Sequence, residues 1–156
     1  MYDTKNELVF NDDKSWISLE DISPYLINAT ISTEDKYFYK HIGFDYLRIA
    51  KAIVTNIVKR DKSEGASTIT QQYARNLFLN FEKTWKRKID EALLACELEV
   101  HYTKDEILEG YLNTINYGGV YGIESASKYY FGKSEKDITL AEATLLAGIP
   151  QSPSNY

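Results

Sequence analysis

Apolar residues recur along most of this chain at helical spacing. After Asp45, the positions Leu47, Ala50, Ile53, Val54, Ile57 and Val58 fall three or four apart and predict an amphipathic helix. Thr84 is placed to cap a longer helix running to about Tyr102, with Trp85, Ile89, Ala92, Leu93, Cys96 and Val100 along one stripe. Ala95 and Leu98 lie on its other face, so this helix is expected to be buried around much of its circumference. Ile107, Leu108, Tyr111, Leu112 and Ile115 form a further periodic set, and Ile123, Ala126, Ser127 and Tyr130 a shorter one.

Polar residues punctuate these stripes as helix boundaries should. Ser23 precedes Pro24 at a first helical position, with Leu26 and Ala29 following. Thr68 with Gln71, Thr103 with Glu106 and Thr139 with Glu142 each fit a capping box, the first opening a helix to about Leu79. Gly148 and Pro150 end the last helix, and the run from Tyr117 to Gly122 reads as a turn. Lys59 to Gly65 is polar and is expected to form a mobile loop. The fold class is therefore mainly α, in a single domain.

The 156-residue length suits one core, and no run of about 18 apolar residues is present to span a bilayer. The first residues lack the layout of a signal peptide. A net charge of -5 argues against nucleic acid as a partner, so an anionic ligand needs a local basic cluster. Cys96 stands alone, which excludes an intrachain disulfide and a cysteine-rich metal site. The 13 tyrosines suit sugar faces and membrane interfaces, but equally suit a core.

Three segments concentrate chemistry. The first, from Ala29 to Asp45, gathers Glu34, Asp35 and His41 at a junction between two helices; a solvated connector is the plainer reading. The second, Glu64-Gly-Ala-Ser-Thr-Ile-Thr-Gln-Gln72, leads small residues into a helix start whose N–H groups are suited to phosphate oxygens. The third holds Lys83, Lys86, Arg87 and Lys88 within six residues. Arg87 and Glu91 are four apart and could form an ordinary surface pair. Glu91, however, shares the face of Ala95 and Leu98, where an unpartnered carboxylate would be costly.

In this order and spacing, the three segments resemble the first three motifs of the peptidoglycan glycosyltransferases (glycosyltransferase family 51). That family takes in class A penicillin-binding proteins and monofunctional transglycosylases. Lys104 to Asn113, Tyr117 to Ile123 with Tyr130 to Lys133, and Leu146 to Tyr156 extend the resemblance from about Trp16 to the end. Ala66 stands where the family usually has a second glycine before Ser67. The family domain also tends to follow a transmembrane anchor and to continue past the position of Tyr156. The chain is thus expected to be one glycosyltransferase domain over residues 1–156, trimmed at both ends and with reduced activity.

The resemblance implies a two-lobed, lysozyme-like fold at the outer face of the bacterial cytoplasmic membrane. It also implies polymerisation of lipid II, the lipid-linked disaccharide, onto a growing glycan-diphosphate-lipid, and sensitivity to moenomycin. A hydroxyl attacks an anomeric carbon with inversion, giving a β-1,4 bond, and a polyprenyl diphosphate leaves. Glu34 matches the general base and Glu91 a second carboxylate that orients the neighbouring cations. Arg75, Lys83, Arg87 and Lys88 match positions that grip diphosphate, and Ser67, Gln71 and Gln72 are expected to hydrogen-bond sugar or phosphate oxygens. Leu77, Phe78, Leu79, Phe81 and Trp85 are candidates for contact with the membrane surface, or for the core. Mg2+ or Mn2+ is compatible with diphosphate departure, yet no clear set of metal ligands stands out. A transpeptidase domain in a longer parent is compatible too. Two rivals stay open: a hydrolase of the same glycan, which needs no basic cluster, and a non-catalytic lipid-binding domain.

Overall fold

The structure, a computed structural model, describes residues 16–43, 67–78 and 85–151. Six α-helices are found among them: α1 (Pro24–Glu34), α2 (Ile69–Phe78), α3 (Trp85–His101), α4 (Lys104–Thr114), α5 (Ile123–Phe131) and α6 (Leu140–Gly148). The only strands among these residues form an antiparallel hairpin, β1 (Asn116–Tyr117) and β2 (Val120–Tyr121). The chain is mainly α, as its periodicity predicts. The expected helix after Asp45, the loop from Lys59 to Gly65, and Ala66, Leu79, Phe81, Lys83 and Thr84 lie outside the described residues.

Helix α4 runs through the core, with Ile107, Leu108, Tyr111 and Leu112 fully buried. Helix α2 packs against both α3 and α4, while α1 packs against α6. Where α2 meets α4, Gly110 lies so close to Tyr73 that a Cβ would overlap the phenol ring and hydroxyl. Gly110→Ala is expected to destabilise the fold by about 1–3 kcal/mol, the usual cost of overpacking, read as a lower denaturation midpoint. The hairpin turns on Gly118 and Gly119, whose φ values of 69° and 100° satisfy a tight two-residue turn.

The capping boxes form as the sequence indicates. Thr103 and Glu106 exchange bonds at the start of α4, and Thr139 and Glu142 at the start of α6. Lys133 Nζ and the Thr139 N–H and hydroxyl all donate to Glu142, which holds its carboxyl down at about 2. Because the folded value is the lower one, this stabilisation is complete above the ordinary carboxylate range and is lost as pH falls. Wild type should therefore melt above Glu142→Gln at neutral pH, and the gap should close on acidification from 4.5 to about 2.

Two local expectations differ from what forms. Pro24 does open α1, but the Ser23 side chain makes no capping bond. The buried carboxylate of Glu135 serves that helix start instead, accepting the Ser23 N–H at 2.8 Å. Helix α3 is also not buried around most of its circumference: Ile89, Leu93 and Val100 are 61%, 61% and 79% exposed. Its buried row is Glu91, Ala95 and Leu98. Two apolar stripes compete on one helix, and spacing alone cannot say which faces the neighbouring helices.

Candidate active site

The last residue of α1, Glu34, carries a buried carboxylate that is 4% exposed. Gln72 Nε2 on α2 donates to its Oε2 at 2.8 Å. On the other side of that amide, the Tyr111 hydroxyl on α4 lies 3.3 Å from Gln72 Oε1. Tyr111 and Tyr117 are both buried phenols held well above their ordinary range, first by burial and then by the charge of Glu34. Glu34 thus lies buried near two neutral phenols, where electrostatic interactions are strong.

The next residue ties α1 to the start of α2. Asp35 accepts the Ile69 N–H at 3.1 Å and pairs with His41 Nε2 at 2.9 Å. Thr68 donates its hydroxyl to the Gly43 carbonyl at 2.7 Å, fixing the same junction. A carboxylate at a helix N-terminus is favoured by the exposed N–H groups there. Glu34 is therefore held by the element that carries Gln72.

Across the α2 N-terminus lies a second carboxylate. Glu91, 0% exposed, accepts Arg87 Nη1 at 2.9 Å and Lys88 Nζ at 2.7 Å, one cation on each oxygen. Lys88 Nζ also reaches Ser67 Oγ at 2.9 Å. The strand of chain from Ser67 to Ile69 consequently links the two carboxylates, touching Lys88 at one end and Asp35 at the other. Helical spacing already put Glu91 on the face of Ala95 and Leu98; its desolvation is offset by two positive partners.

The sequence-based site residues divide accordingly. Glu34 and Gln72 meet in one cluster, and Glu91, Arg87, Lys88 and Ser67 in the other. Arg75 lies on α2 one turn beyond Gln72, half-buried, with its charge acting on Tyr111. Lys83 lies outside the described residues. Gln71 has its side-chain carbonyl committed to the Thr68 N–H at 3.0 Å, closing the capping box. The N–H groups of Thr68, Ile69 and Gln71, expected to face phosphate, all have protein acceptors. Asp35 takes one of them, so this helix start is already neutralised by a carboxylate. Sequence reasoning missed Tyr111 because it sits among apolar residues at core spacing, and Tyr117 because it opens a glycine-rich turn. Among the described residues no three or more His, Cys, Asp or Glu cluster as metal ligands.

The sequence model of one protein family, described as Transglycosylase, matches residues 4–156. The chain belongs to the transglycosylase family. It is 56% identical to "Penicillin-binding protein 2D" of Bacillus subtilis (strain 168), over 96% of this chain and 22% of that protein. It is 48% identical to "Penicillin-binding protein 1A" of Clostridium tetani (strain Massachusetts / E88), over 100% of this chain and 21% of the relative. "Penicillin-binding protein 1A" of Neisseria lactamica is 49% identical over 92% of the chain and 18% of its own length. The transglycosylase chain thus spans about a fifth of the length of these relatives. No helix among its described residues is long and apolar enough to cross a membrane.

Proposed function

We propose that this transglycosylase chain polymerises lipid II into β-1,4 glycan strands during bacterial cell-wall synthesis. The observation that carries the reading is a buried carboxylate, Glu34, joined through the start of α2 to a fixed pair of cations on Glu91. Glu34 takes the proton of the incoming 4-hydroxyl as the oxygen bonds to the anomeric carbon. The bond from that carbon to the diphosphate oxygen breaks, its electron pair leaves with the polyprenyl diphosphate, and the configuration inverts. Arg75, Lys83, Arg87 and Lys88 stabilise the departing charge, Arg through its planar fork and Lys as a point charge. Glu91 orients Arg87 and Lys88, and Ser67 holds Lys88 towards the site.

A hydrolase acting on a neutral glycan would have no use for this cation pair. The exposed side chains of Leu77 and Phe78 at the end of α2 suit contact with a membrane surface. The site then works at the outer face of the cytoplasmic membrane, and a transpeptidase domain in a longer parent is compatible with it. Neutral changes at Arg75, Lys83 and Lys88 should each weaken binding of a diphosphate lipid, and of moenomycin, by about tenfold or more. Calorimetric titration of wild type and single variants with polyprenyl diphosphate measures this. Unchanged affinity in all three would remove the diphosphate site and leave the hydrolase or scaffold reading ahead.

A further inference from the structure

Gln72 stands between the carboxylate of Glu34 and the phenol of Tyr111, and all three side chains are buried, at 7%, 4% and 0% exposure respectively. The direction of the two hydrogen bonds follows from their chemistry. An ionised carboxylate only accepts, so the amide must turn its NH2 towards Glu34 and its carbonyl towards Tyr111. Tyr111 must then donate. Its phenol is held well above the ordinary range by burial, then by the charge of Glu34, and therefore keeps its proton throughout the working pH range.

We propose that Gln72 is a positioning residue, locked by Tyr111, that fixes the rotamer of Glu34. Gln72 thus acts on the base, in place of the direct contact with sugar or phosphate expected from its motif position. The inference rests on Glu34 being the base.

Among the described residues, the charge of Glu34 acts on Tyr111 on α4 and Tyr117 on β1, and Arg75 and Asp35, the latter paired with His41, act on the same Tyr111. Removing the Gln72 donor leaves all of these in place, so its effect on the titration of Glu34 can be read alone. The experiment is an NMR pH titration of the Glu34 carboxyl carbon in isotope-labelled protein, assigned by its loss in Glu34→Gln. A hydrogen bond to the charged form lowers a carboxyl pKa, so Gln72→Met should raise the midpoint by about one pH unit. Tyr111→Phe, which loosens the amide without removing it, should shift the midpoint in the same direction by less. Tyr111→Phe is near-isosteric and decides the matter alone if Gln72→Met does not fold. An unmoved midpoint in the folded variants, with weaker binding of lipid II, overturns the proposal and makes Gln72 a substrate ligand. Failure of the underlying reading looks different: Glu34→Gln would then polymerise lipid II like wild type, whatever the titration shows.

Discussion

Glu34→Gln should abolish polymerisation while leaving the fold and substrate binding in place. The exchange keeps the size of the side chain and a carbonyl oxygen able to accept the Gln72 N–H, so the contact at 2.8 Å survives. What it removes is the group proposed to take the hydroxyl proton. General-base catalysis is worth roughly 10²–10⁴-fold, and turnover should fall by at least that range. Thermal melting and lipid binding measured beside turnover separate a lost base from a lost fold. Activity within about tenfold of wild type would mean that another group removes the proton.

Glu91→Leu should have the largest effect on stability. The carboxylate is fully buried and is the counter-charge of both Arg87 and Lys88, neighbours in sequence that would otherwise repel. Breaking a buried pair by removing one partner typically costs about 3–5 kcal/mol. Lys88 is 44% exposed and can turn to water, so about 2–3 kcal/mol is expected here. For a domain of this size that lowers the melting temperature by roughly 4–12 °C. Diphosphate binding should weaken as well, because both cations lose the acceptor that aims them. An unchanged melting temperature would show that the cations are held by something other than Glu91.

The parts of this molecule that sequence made legible are those governed by short-range rules. Two capping boxes, at Thr103 and Thr139, depend on residues three apart and form as their spacing indicates. The turn at Gly118 and Gly119 and the end of α6 at Gly148 follow for the same reason. What spacing could not decide was competition between distant partners. Ser23 is well placed to cap α1, yet its side chain makes no capping bond, and its N–H donates to Glu135, 112 residues away. Both stripes of α3 are apolar, and packing against α2 selects the one with Glu91.

The site divides along the same line. Arg87, Lys88 and Glu91 are neighbours on one helix, so their meeting could be read from an i, i+3 and i, i+4 pattern. Gln72 reaches Glu34 across 38 residues and Tyr111 across 39, and nothing local marks either contact. The motif position of Gln72 points to substrate, and its amide lies between the Glu34 carboxylate and the Tyr111 phenol. Likewise, small residues before α2 suggested open N–H groups, but Asp35 and the Thr68–Gln71 box use them.

The proposed reaction couples two clusters, a carboxylate to remove a proton and cations to release a diphosphate. This coupling is tested by supplying purified chain with lipid II bearing a labelled disaccharide and analysing both products. The expected result is β-1,4-linked glycan strands together with one polyprenyl diphosphate released for each bond formed. Shortened glycan from a preformed strand, with lipid II left intact, would contradict it and identify a hydrolase instead.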